Sequence, residues 1–429
     1  MWDKVASSYF SKQANFKELD LIMPKEDLGI IVVIPCFNEP DLKLTLESIS
    51  KCSDPGCGVL VLVVVNFPVG STETVKQQCE SNVFDVAQWQ QKYSYDWLAF
   101  QSIELFDVPM KDAGVGFARK VGMDQAAYTF FKLGVPQGVI DCFDADSLCD
   151  ANYLFEIARQ SQQHMAMQAA SIYYEHPVAG LAFSENLYEG IANYELHLRY
   201  YVWALRSIKF PYAFQTVGSS MLCRASSYVR YGGMNRRKAG EDFYFLQKII
   251  PHGGFFEITS TRVIPSPRIS ERVPFGTGRA MLKMSELNSA HFVTYSLDSI
   301  QAVGVLFGLV ERLYHHKELA QLEILLHPSL QQYLHDIDWV DAVREVQANA
   351  STLENFMKRF FLWFNAFRVL KYLNYAHDGW FEKKPVVIEA ERLLRQLGHT
   401  VISQGEFGVL MEYRRMDRQG WSGLSTIQR

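Results

Sequence analysis

The first half of the chain alternates short apolar runs with segments whose apolar residues recur at helical spacing. Residues 30–34 and 59–65 are unbroken aliphatic runs, as expected for central strands of a parallel sheet that is covered on both faces. A helical pattern with Leu42, Leu46 and Ile49 on one face follows the first of them. This alternation predicts an α/β protein with a layered sheet and crossover helices.

Similar patterns extend the sheet along the chain. Further strands are predicted over residues 100–108, 139–143, 169–174, 212–223 and 255–264. Helices are predicted over residues 72–82, 117–133 and 185–208, with another starting near Glu241. The polar and aromatic stretch 82–98 is interpreted as an insertion. From about Leu282 amphipathic helical patterns dominate, so we predict an α/β domain over 1–281 and a helical accessory region over 282–429.

Composition describes an ordinary globular protein. The chain has 429 residues, of which 48% are hydrophobic and 21% charged. Its 42 Lys+Arg against 47 Asp+Glu give a net charge of −5, which leaves no basic footprint for a nucleic-acid partner. Seven cysteines are scattered without a C-x-x-C pair. Free thiols in a reducing compartment explain this usage better than disulfides or zinc.

The start of the chain lacks the apolar core of a secretory signal, and no apolar stretch has the roughly 20 residues that a spanning helix needs. A cytoplasmic location is therefore expected. The aromatic run 360–364, flanked by basic residues, leaves open a peripheral contact with the cytoplasmic face of a membrane. Packing inside a helical bundle is the favoured explanation of that run.

An acidic pair follows the strand predicted at 139–143. Asp144 and Asp146 are two residues apart, so in extended backbone their carboxylates point to the same side. The carboxyl end of a strand is where open α/β sheets bind ligands. The pair could hold one hard cation that keeps positions open for diphosphate oxygens. An acidic surface loop is the alternative.

Two other segments lie where strands give way to helices. Pro35, Asn38 and Glu39 end the first strand, where backbone N–H groups and polar side chains could meet a nucleoside. Helix capping is the competing explanation. Gly116 and Arg119 open the helix after the third strand, where glycine allows close approach to a ligand and arginine suits phosphate. A plain turn would show the same residues.

Two later segments supply charged groups. Glu241 and Asp242 open a predicted helix, where one could act as a general base, although the helix dipole favours acids there in any case. The loop that contains Arg268 and Arg272 is bounded by Pro and Gly. Its guanidinium groups could close over a diphosphate, or they could form a solvated basic loop.

Together and in this order the motifs resemble glycosyltransferase family 2, over roughly residues 29–280. The matching segments are Val33–Glu39, Gly116–Gly122, Asp144–Asp146 and Glu241–Asp242. Two positions depart from that family's pattern. Asn66 stands where the family commonly has acidic residues that help to read the nucleobase, and Lys120 replaces a usual Asn. Asn can both donate and accept, so uracil remains compatible with the site.

The resemblance implies a fold of the GT-A type, with a mixed, mostly parallel sheet flanked by helices. It implies a sugar transfer from a nucleotide diphosphate donor, expected to be a UDP-sugar, to a hydroxyl acceptor with inversion, as in polysaccharide biosynthesis. Mg²⁺ or Mn²⁺ would be held by Asp144 and Asp146, and Asp242 beside Glu241 would be the catalytic base. The residues expected to bind the nucleotide sugar are Pro35, Asn38, Glu39, Asn66, Gly116, Arg119, Asp144, Arg268 and Arg272.

Two other functions and several details stay open. A phosphatase of the haloacid-dehalogenase type also uses a D-x-D motif, but expects it near the start of its domain. A non-catalytic nucleotide-sugar binding module would need no base, so the intact acids at 241 and 242 argue against it. The acceptor could be a glycan, a lipid-linked molecule or a small molecule. The sequence does not indicate an oligomeric state.

Overall fold

The computed structural model describes residues 2–13, 16–93, 95–237, 240–269, 277–287, 292–315, 318–400 and 405–421. The chain forms two compact units. The first comprises residues 1–188, 216–286 and 417–420, and the second comprises residues 189–215, 287–416 and 421–429. The domain division predicted from the sequence, 1–281 and 282–429, stays a prediction.

An eight-stranded mixed sheet forms the centre of the first unit. Its strands are β1 (Leu28–Cys36), β2 (Gly58–Pro68), β3 (Leu98–Val108), β4 (Val139–Cys142), β5 (Leu148–Cys149), β6 (Ala169–Tyr174), β7 (Met221–Arg224) and β8 (Phe255–Ile264). Their order is β3-β2-β1-β4-β7-β6-β8-β5. The predicted fold class is confirmed, because the sheet is mostly parallel, is flanked by helices and is followed by a helical region.

Helices flank this sheet and continue past it. In the first 287 residues they are α1 (Trp2–Phe10), α2 (Leu42–Ser50), α3 (Glu73–Lys92), α4 (Val115–Leu133), α5 (Tyr153–Gln163), α6 (Glu185–Ser207), α7 (Ala225–Arg230), α8 (Glu241–Leu246) and α9 (Thr277–Leu287), with a 3₁₀ turn at Ile250–His252. Two predictions here are wrong. The stretch 82–98 is not an insertion, because α3 continues to Lys92 and β3 follows. Residues 212–220 are irregular, so strand β7 begins only at Met221.

Strand directions place several strand ends at one edge of the sheet. β1, β2, β3 and β4 are mutually parallel, and β7 runs antiparallel to both β4 and β6. β6 therefore runs in the same direction as β4, and β8 is parallel to β6. The segments after β1, β4 and β8 consequently meet the segment before β7 at the same edge, where open α/β sheets bind ligands.

Helix α4 packs unusually closely on this sheet. A Cβ added at Gly122 would lie 2.4 Å from Val33 Cγ1 and 2.9 Å from Val64 Cγ2, distances that exclude any side chain. The glycine therefore lets the helix approach β1 and β2 directly. This fixes the position of its first turns, which carry Gly116 and Arg119.

The second unit is helical and contains a short pair of antiparallel strands. Its further elements are β9 (Val293–Thr294), α10 (Leu297–Gly308), α11 (Val310–His315), α12 (Leu319–Glu323), α13 (Pro328–Asp336), α14 (Trp339–Ala348), α15 (Leu353–Trp363), α16 (Ala366–His377), β10 (Lys384–Pro385), α17 (Val386–Gln396) and α18 (Gly405–Gln419), whose last residues belong to the first unit. Phe360, Phe361 and Phe364 are at most 3% exposed, which agrees with the favoured bundle packing of this run. No helix in the described parts of the chain is long and apolar enough to cross a bilayer.

Candidate active site

One guanidinium joins the D-x-D motif to the Glu241-Asp242 pair. Arg119, on the second turn of α4, donates from Nη1 to Glu241 Oε1 and from Nη2 to Asp144 Oδ1, the latter at 2.7 Å. The side chains of Arg119 and Glu241 are 3% and 4% exposed, whereas that of Asp144 is 38% exposed. A buried ion pair thus fixes one carboxylate of the motif while leaving part of it open to a ligand.

Asp242 lies beside the same guanidinium, at a point where the backbone before β7 comes close. A Cβ at Gly218 would be 2.8 Å from Arg119 Nη1 and 3.0 Å from Asp242 Oδ2. These two atoms are therefore at most 5.8 Å apart, which is the sum of the two distances. Gly218 is needed at this point because a side chain would displace one of the two charged groups.

The charges of this cluster change the pKa values of its members. Burial disfavours the Arg119 cation, but the Glu241 and Asp144 carboxylates outweigh it, and the net effect raises the pKa of Arg119. Burial, and then the negative charge of Glu241, raise the pKa of Asp242 to about 7. Arg119 and the Phe243 N–H, which donates to Asp242 Oδ1 at 2.7 Å, act in the opposite direction. A carboxylate with this pKa is suited to accept a proton near neutral pH.

A second arginine connects the other half of the motif to the turn after β1. Arg268, four residues beyond β8, donates from Nη1 and Nη2 to the two Glu39 oxygens at 2.8 and 2.5 Å. Nη2 also lies 3.2 Å from Asp146 Oδ2, and Nη1 lies 3.5 Å from Asp41 Oδ2. Glu39 is 1% exposed and Arg268 is 22% exposed. The two-pronged contact with a buried carboxylate anchors Arg268 firmly at the sheet edge.

The turn that carries Asn38 and Glu39 is held by helix α3. Asn38 has a φ of 48°, in the left-handed region that Asn tolerates better than most residues. Asn82 is fully buried; it accepts from the Glu39 N–H at 3.2 Å and donates to the Glu39 carbonyl at 2.6 Å. This pair of bonds fixes the backbone of the turn, so that Glu39 presents its side chain to Arg268.

Helix α2 holds the loop of the D-x-D motif. Thr45 is fully buried and its hydroxyl donates to the carbonyls of Ala145 and Ser147 at 2.8 and 3.0 Å. The Ser48 hydroxyl accepts from the Cys149 N–H at 2.8 Å. These bonds hold the backbone of the loop against α2, while the carboxylates of Asp144 and Asp146 stay partly exposed.

The other predicted site residues have varied positions. Pro35 lies within β1 opposite Val64 of β2, and Asn66 is 5% exposed near the end of β2. A Cβ at Gly116 would lie 2.0 Å from the Arg237 carbonyl oxygen, so this glycine makes room for the segment that leads to Glu241. Arg272 lies outside the described residues. The roles predicted for these residues stay predictions.

The departure at Lys120 has a structural reason. Its ammonium donates to Asp124 Oδ2 at 2.8 Å and to the Tyr9 hydroxyl at 3.2 Å. The hydroxyls of Tyr9 and Tyr228 both donate to Asp124 Oδ1, at 2.7 and 2.6 Å. Lys120 thus belongs to a buried network that joins α1, α4 and α7, and its ammonium is engaged there instead of at the sheet edge.

The acids of the motif suit a hard divalent cation that a substrate completes. Carboxylate oxygens are the ligands that Mg²⁺ prefers, and such sites commonly use one or two carboxylates together with substrate phosphates. Asp144 and Asp146 are 38% and 31% exposed, so both can be reached. Across the described residues no group of three His, Cys, Asp or Glu side chains forms a complete protein cage. The residues therefore fit a cation shared with a phosphorylated ligand.

Several contributors to the site have no clear sequence signal. Asn82 falls in the stretch interpreted as an insertion, and Thr45 is one polar position on the buried face of α2. Gly218 lies inside a segment assigned to a strand. Asn82 and Thr45 act through hydrogen bonds to backbone groups 43 to 102 positions away in the sequence. Gly218 acts by its closeness to the side chains of Arg119 and Asp242, and local patterns encode none of these contacts.

Asp141 is a buried acid in β4, the strand that leads to the D-x-D motif, and no motif in the sequence indicates its role. It is fully buried in β4, and the Tyr153 hydroxyl donates to both of its oxygens at 3.1 and 2.9 Å. Burial raises the pKa of Asp141 to about 7 from its ordinary value of 3.8, against the opposing effect of Tyr153. The folded state therefore binds this proton more tightly than the unfolded state does.

Asp141 is expected to make the fold less stable as pH rises. The stabilisation is fully present below the unfolded pKa near 4 and is lost as pH rises through about 7, a change of at most about 4 kcal/mol. Asp141→Asn, which keeps an acceptor for Tyr153, should unfold at higher urea than the wild type at pH 8 and at similar urea at pH 4. A variant that is less stable than the wild type at pH 8 would contradict this.

No family model matches the chain, and no curated protein matches its sequence. Several solved structures are similar to this chain. Staphylococcus aureus TarS 1–349 with UDP-GlcNAc is 14% identical, covering 78% of this chain and 91% of that chain at a TM-score of 0.38. The mannosyltransferase PcManGT of Pyrobaculum calidifontis, with GDP-Man and Mn²⁺, is 13% identical. The match covers 98% of this chain and 99% of that chain, with a TM-score of 0.33.

Glucosyl-3-phosphoglycerate synthase of Mycobacterium tuberculosis, with Mn²⁺, UDP and phosphoglyceric acid, is also 13% identical. The match covers 65% of this chain and 78% of that chain, with a TM-score of 0.32.

Proposed function

We propose that this protein is a metal-dependent glycosyltransferase that moves a sugar from a nucleotide diphosphate donor to a hydroxyl acceptor. The observation that carries the proposal is the position of Arg119, whose guanidinium contacts Asp144 and Glu241 together and lies within 5.8 Å of Asp242. The D-x-D motif and the acidic pair, 98 residues apart in the sequence, therefore lie around one guanidinium. A pair of acids that could hold a cation and a nearby group that could act as a base are what this reaction requires.

The excess of carboxylates around Arg119 and Arg268 supports a need for a divalent cation. Six carboxylates, those of Glu39, Asp41, Asp144, Asp146, Glu241 and Asp242, lie around the guanidinium groups of Arg119 and Arg268. Full ionisation would leave a formal excess of four negative charges among these groups, and an anionic diphosphate would be repelled. Mg²⁺ or Mn²⁺ held by Asp144 and Asp146 would offset that charge and, when bound, stabilise the departing phosphate.

The chain's own residues take separate parts in the proposed reaction. The turn at Asn38 and Glu39, with Asn66 at the end of β2, would bind the nucleoside, expected to be uridine. Arg268 would neutralise charge on the leaving diphosphate. Asp242 would remove the proton of the acceptor hydroxyl as it attacks the anomeric carbon, giving inversion.

We assign Arg119 a different role from the one predicted from the sequence. Its side chain is 3% exposed and already bonded to two carboxylates. We therefore assign it chiefly to positioning Asp144 and to tuning the pKa of Asp242, with Arg268 as the more accessible cation for a ligand.

The competing functions find less support in this site. A haloacid-dehalogenase phosphatase needs its nucleophilic aspartate after the first strand, but β1 ends in Pro35 and Cys36. A pure binding module would not need Asp242, whose raised pKa suits proton transfer. Membership of glycosyltransferase family 2, a glycan, lipid-linked or small-molecule acceptor, and a cytoplasmic location with peripheral membrane contact complete the proposal.

A thermal-shift screen of nucleotide sugars with and without Mn²⁺ tests the proposed function. A ligand that binds the folded state raises the melting temperature, and at 100 times its Kd the gain is about 2.7 kcal/mol. We expect a UDP-sugar to raise the melting temperature by several degrees in Mn²⁺ and by much less in EDTA. If no nucleotide sugar produces a metal-dependent shift, the proposed function is wrong.

A further inference from the structure

Arg268 contacts the D-x-D motif through the carboxylate of Asp146. Its Nη2 approaches Asp146 Oδ2 at 3.2 Å while both of its terminal nitrogens are bonded to Glu39. The guanidinium therefore supplies positive charge to the D-x-D motif from the protein itself. Its contact with Asp146 is the longest of its hydrogen bonds to the motif and to Glu39, so it is the one most easily exchanged.

We propose that Arg268 competes with the divalent cation for Asp146 and that the cation, on binding, releases Arg268 to the donor diphosphate. This inference rests on the proposed function and adds a coupling between its two ligands. Arg268 would thus be a specificity-determining residue that makes the empty site a weak one for metal alone.

Electrostatics gives the direction of this competition. Two positive groups that share the carboxylate of Asp146 repel each other, and the repulsion is strong because the motif is only 31–38% exposed. Arg268 cannot move far to escape it, because its two bonds to the buried Glu39 hold its guanidinium. The cation therefore binds against a fixed positive charge.

The diphosphate offsets the repulsion between the cation and the Arg268 guanidinium. Once the cation holds Asp146, the Nη2 hydrogens of Arg268 lose one acceptor and can bond to phosphate oxygens at the same edge of the sheet. Anionic phosphate also relieves the repulsion between cation and guanidinium. Metal and nucleotide should therefore strengthen each other's binding, and by linkage the factor is the same in both directions.

Replacing Arg268 should move the two affinities in opposite directions. In the full-length Arg268→Gln variant, we expect Mn²⁺ alone, measured by electron paramagnetic resonance of the free ion, to bind about tenfold more tightly. UDP in saturating Mn²⁺, measured by calorimetry, should bind about tenfold more weakly. The factor by which Mn²⁺ improves UDP binding should fall accordingly. A merely structural role would weaken both ligands together.

Two further variants separate charge competition from misfolding. Arg268→Lys keeps a positive charge for the buried Glu39 but lacks the planar fork, so it should also bind Mn²⁺ more tightly, by a smaller factor. Arg262→Gln is the matched control. Arg262 lies six residues before Arg268 and forms its ion pairs with Asp150 and Glu175. It should leave the Mn²⁺ affinity within twofold of the wild type.

The outcomes distinguish this inference from the proposed function. If Mn²⁺ binds the wild type but Arg268→Gln binds it no more tightly, the competition is overturned while the glycosyltransferase proposal stands. If the wild type binds neither Mn²⁺ nor UDP with Mn²⁺, the proposed function fails. If Arg262→Gln tightens Mn²⁺ binding as much as Arg268→Gln does, the inference is also overturned. The change in net charge of the protein would then explain the tighter binding.

Discussion

Asp242→Asn should reduce the transfer rate by 10²- to 10⁴-fold while UDP binding in Mn²⁺ stays within about threefold of the wild type. The amide has nearly the same shape as the carboxylate but cannot take the proton of the acceptor hydroxyl. The ion pairs of Arg119 are with Asp144 and Glu241. The substitution should therefore leave the cation-binding half of the site in place.

The pH dependence of the wild type gives a second view of the same group. Since the pKa of Asp242 is raised to about 7, the base is protonated and inactive below that pH. The transfer rate should fall about tenfold per pH unit below neutrality and level off above it.

Asp150→Asn is a suitable control for the Asp242→Asn substitution, because Asp150 pairs with Arg262 and has no assigned part in the reaction. An Asp242→Asn enzyme with a normal rate would show that another group is the base.

Arg119→Met should cost about 3–5 kcal/mol of unfolding free energy, which is the other large effect that we expect. The change removes the partner of Glu241 and leaves that carboxylate 4% exposed without its ion pair. It also releases Asp144 from its fixed position. The free energy should be measured by urea unfolding with far-ultraviolet circular dichroism.

A double substitution identifies the cause of this loss. Glu241→Gln on its own leaves the buried Arg119 with one remaining carboxylate, whereas the pair Arg119→Met and Glu241→Gln removes both charges. The double variant should be more stable than the sum of the single losses predicts, because the buried charge of Glu241 is removed together with its partner. Arg262→Gln, whose ion pair is about one-third exposed, should cost less than about 1 kcal/mol. Strict additivity of the single losses would contradict the account.

The central strands could be predicted from the sequence because their local pattern is unambiguous. Residues 30–34 and 59–65 are continuous aliphatic runs, and the structure buries every one of them within β1 and β2. β4 ends at Cys142, so Asp144 and Asp146 follow a buried strand, as its apolar pattern predicts. Apolar runs of this length that are rich in β-branched residues favour a strand covered on both faces of the sheet.

Helix α3 could not be predicted to its full length because its buried stripe is partly polar. The residues that it buries are Cys79, Asn82, Asp85 and Val86. Asn82 serves the Glu39 turn and Asp85 pairs with Lys43 at 3.2 Å. Polar side chains with long-range partners conceal the apolar period that indicates a helix.

The segment before β7 was mistaken for a strand for a related reason. Residues 212–220 are rich in aromatic and small side chains, but short turns bond Phe214 to Tyr212 and Ser220 to Val217. Gly218 also comes close to the side chains of Arg119 and Asp242, a contact that the local pattern does not indicate. Likewise Arg268 and Glu39 are 229 residues apart. Their pairing follows from strand order, which the local sequence does not specify.

Calorimetric titration of UDP into the protein with Mn²⁺, and again with EDTA, tests the central claim most directly. We expect Mn²⁺ to strengthen UDP binding at least tenfold, and Asp146→Asn to remove most of that gain while folding normally. UDP binding of equal strength in EDTA, or a gain from Mn²⁺ that survives Asp146→Asn, would contradict a cation held by the D-x-D motif against the diphosphate.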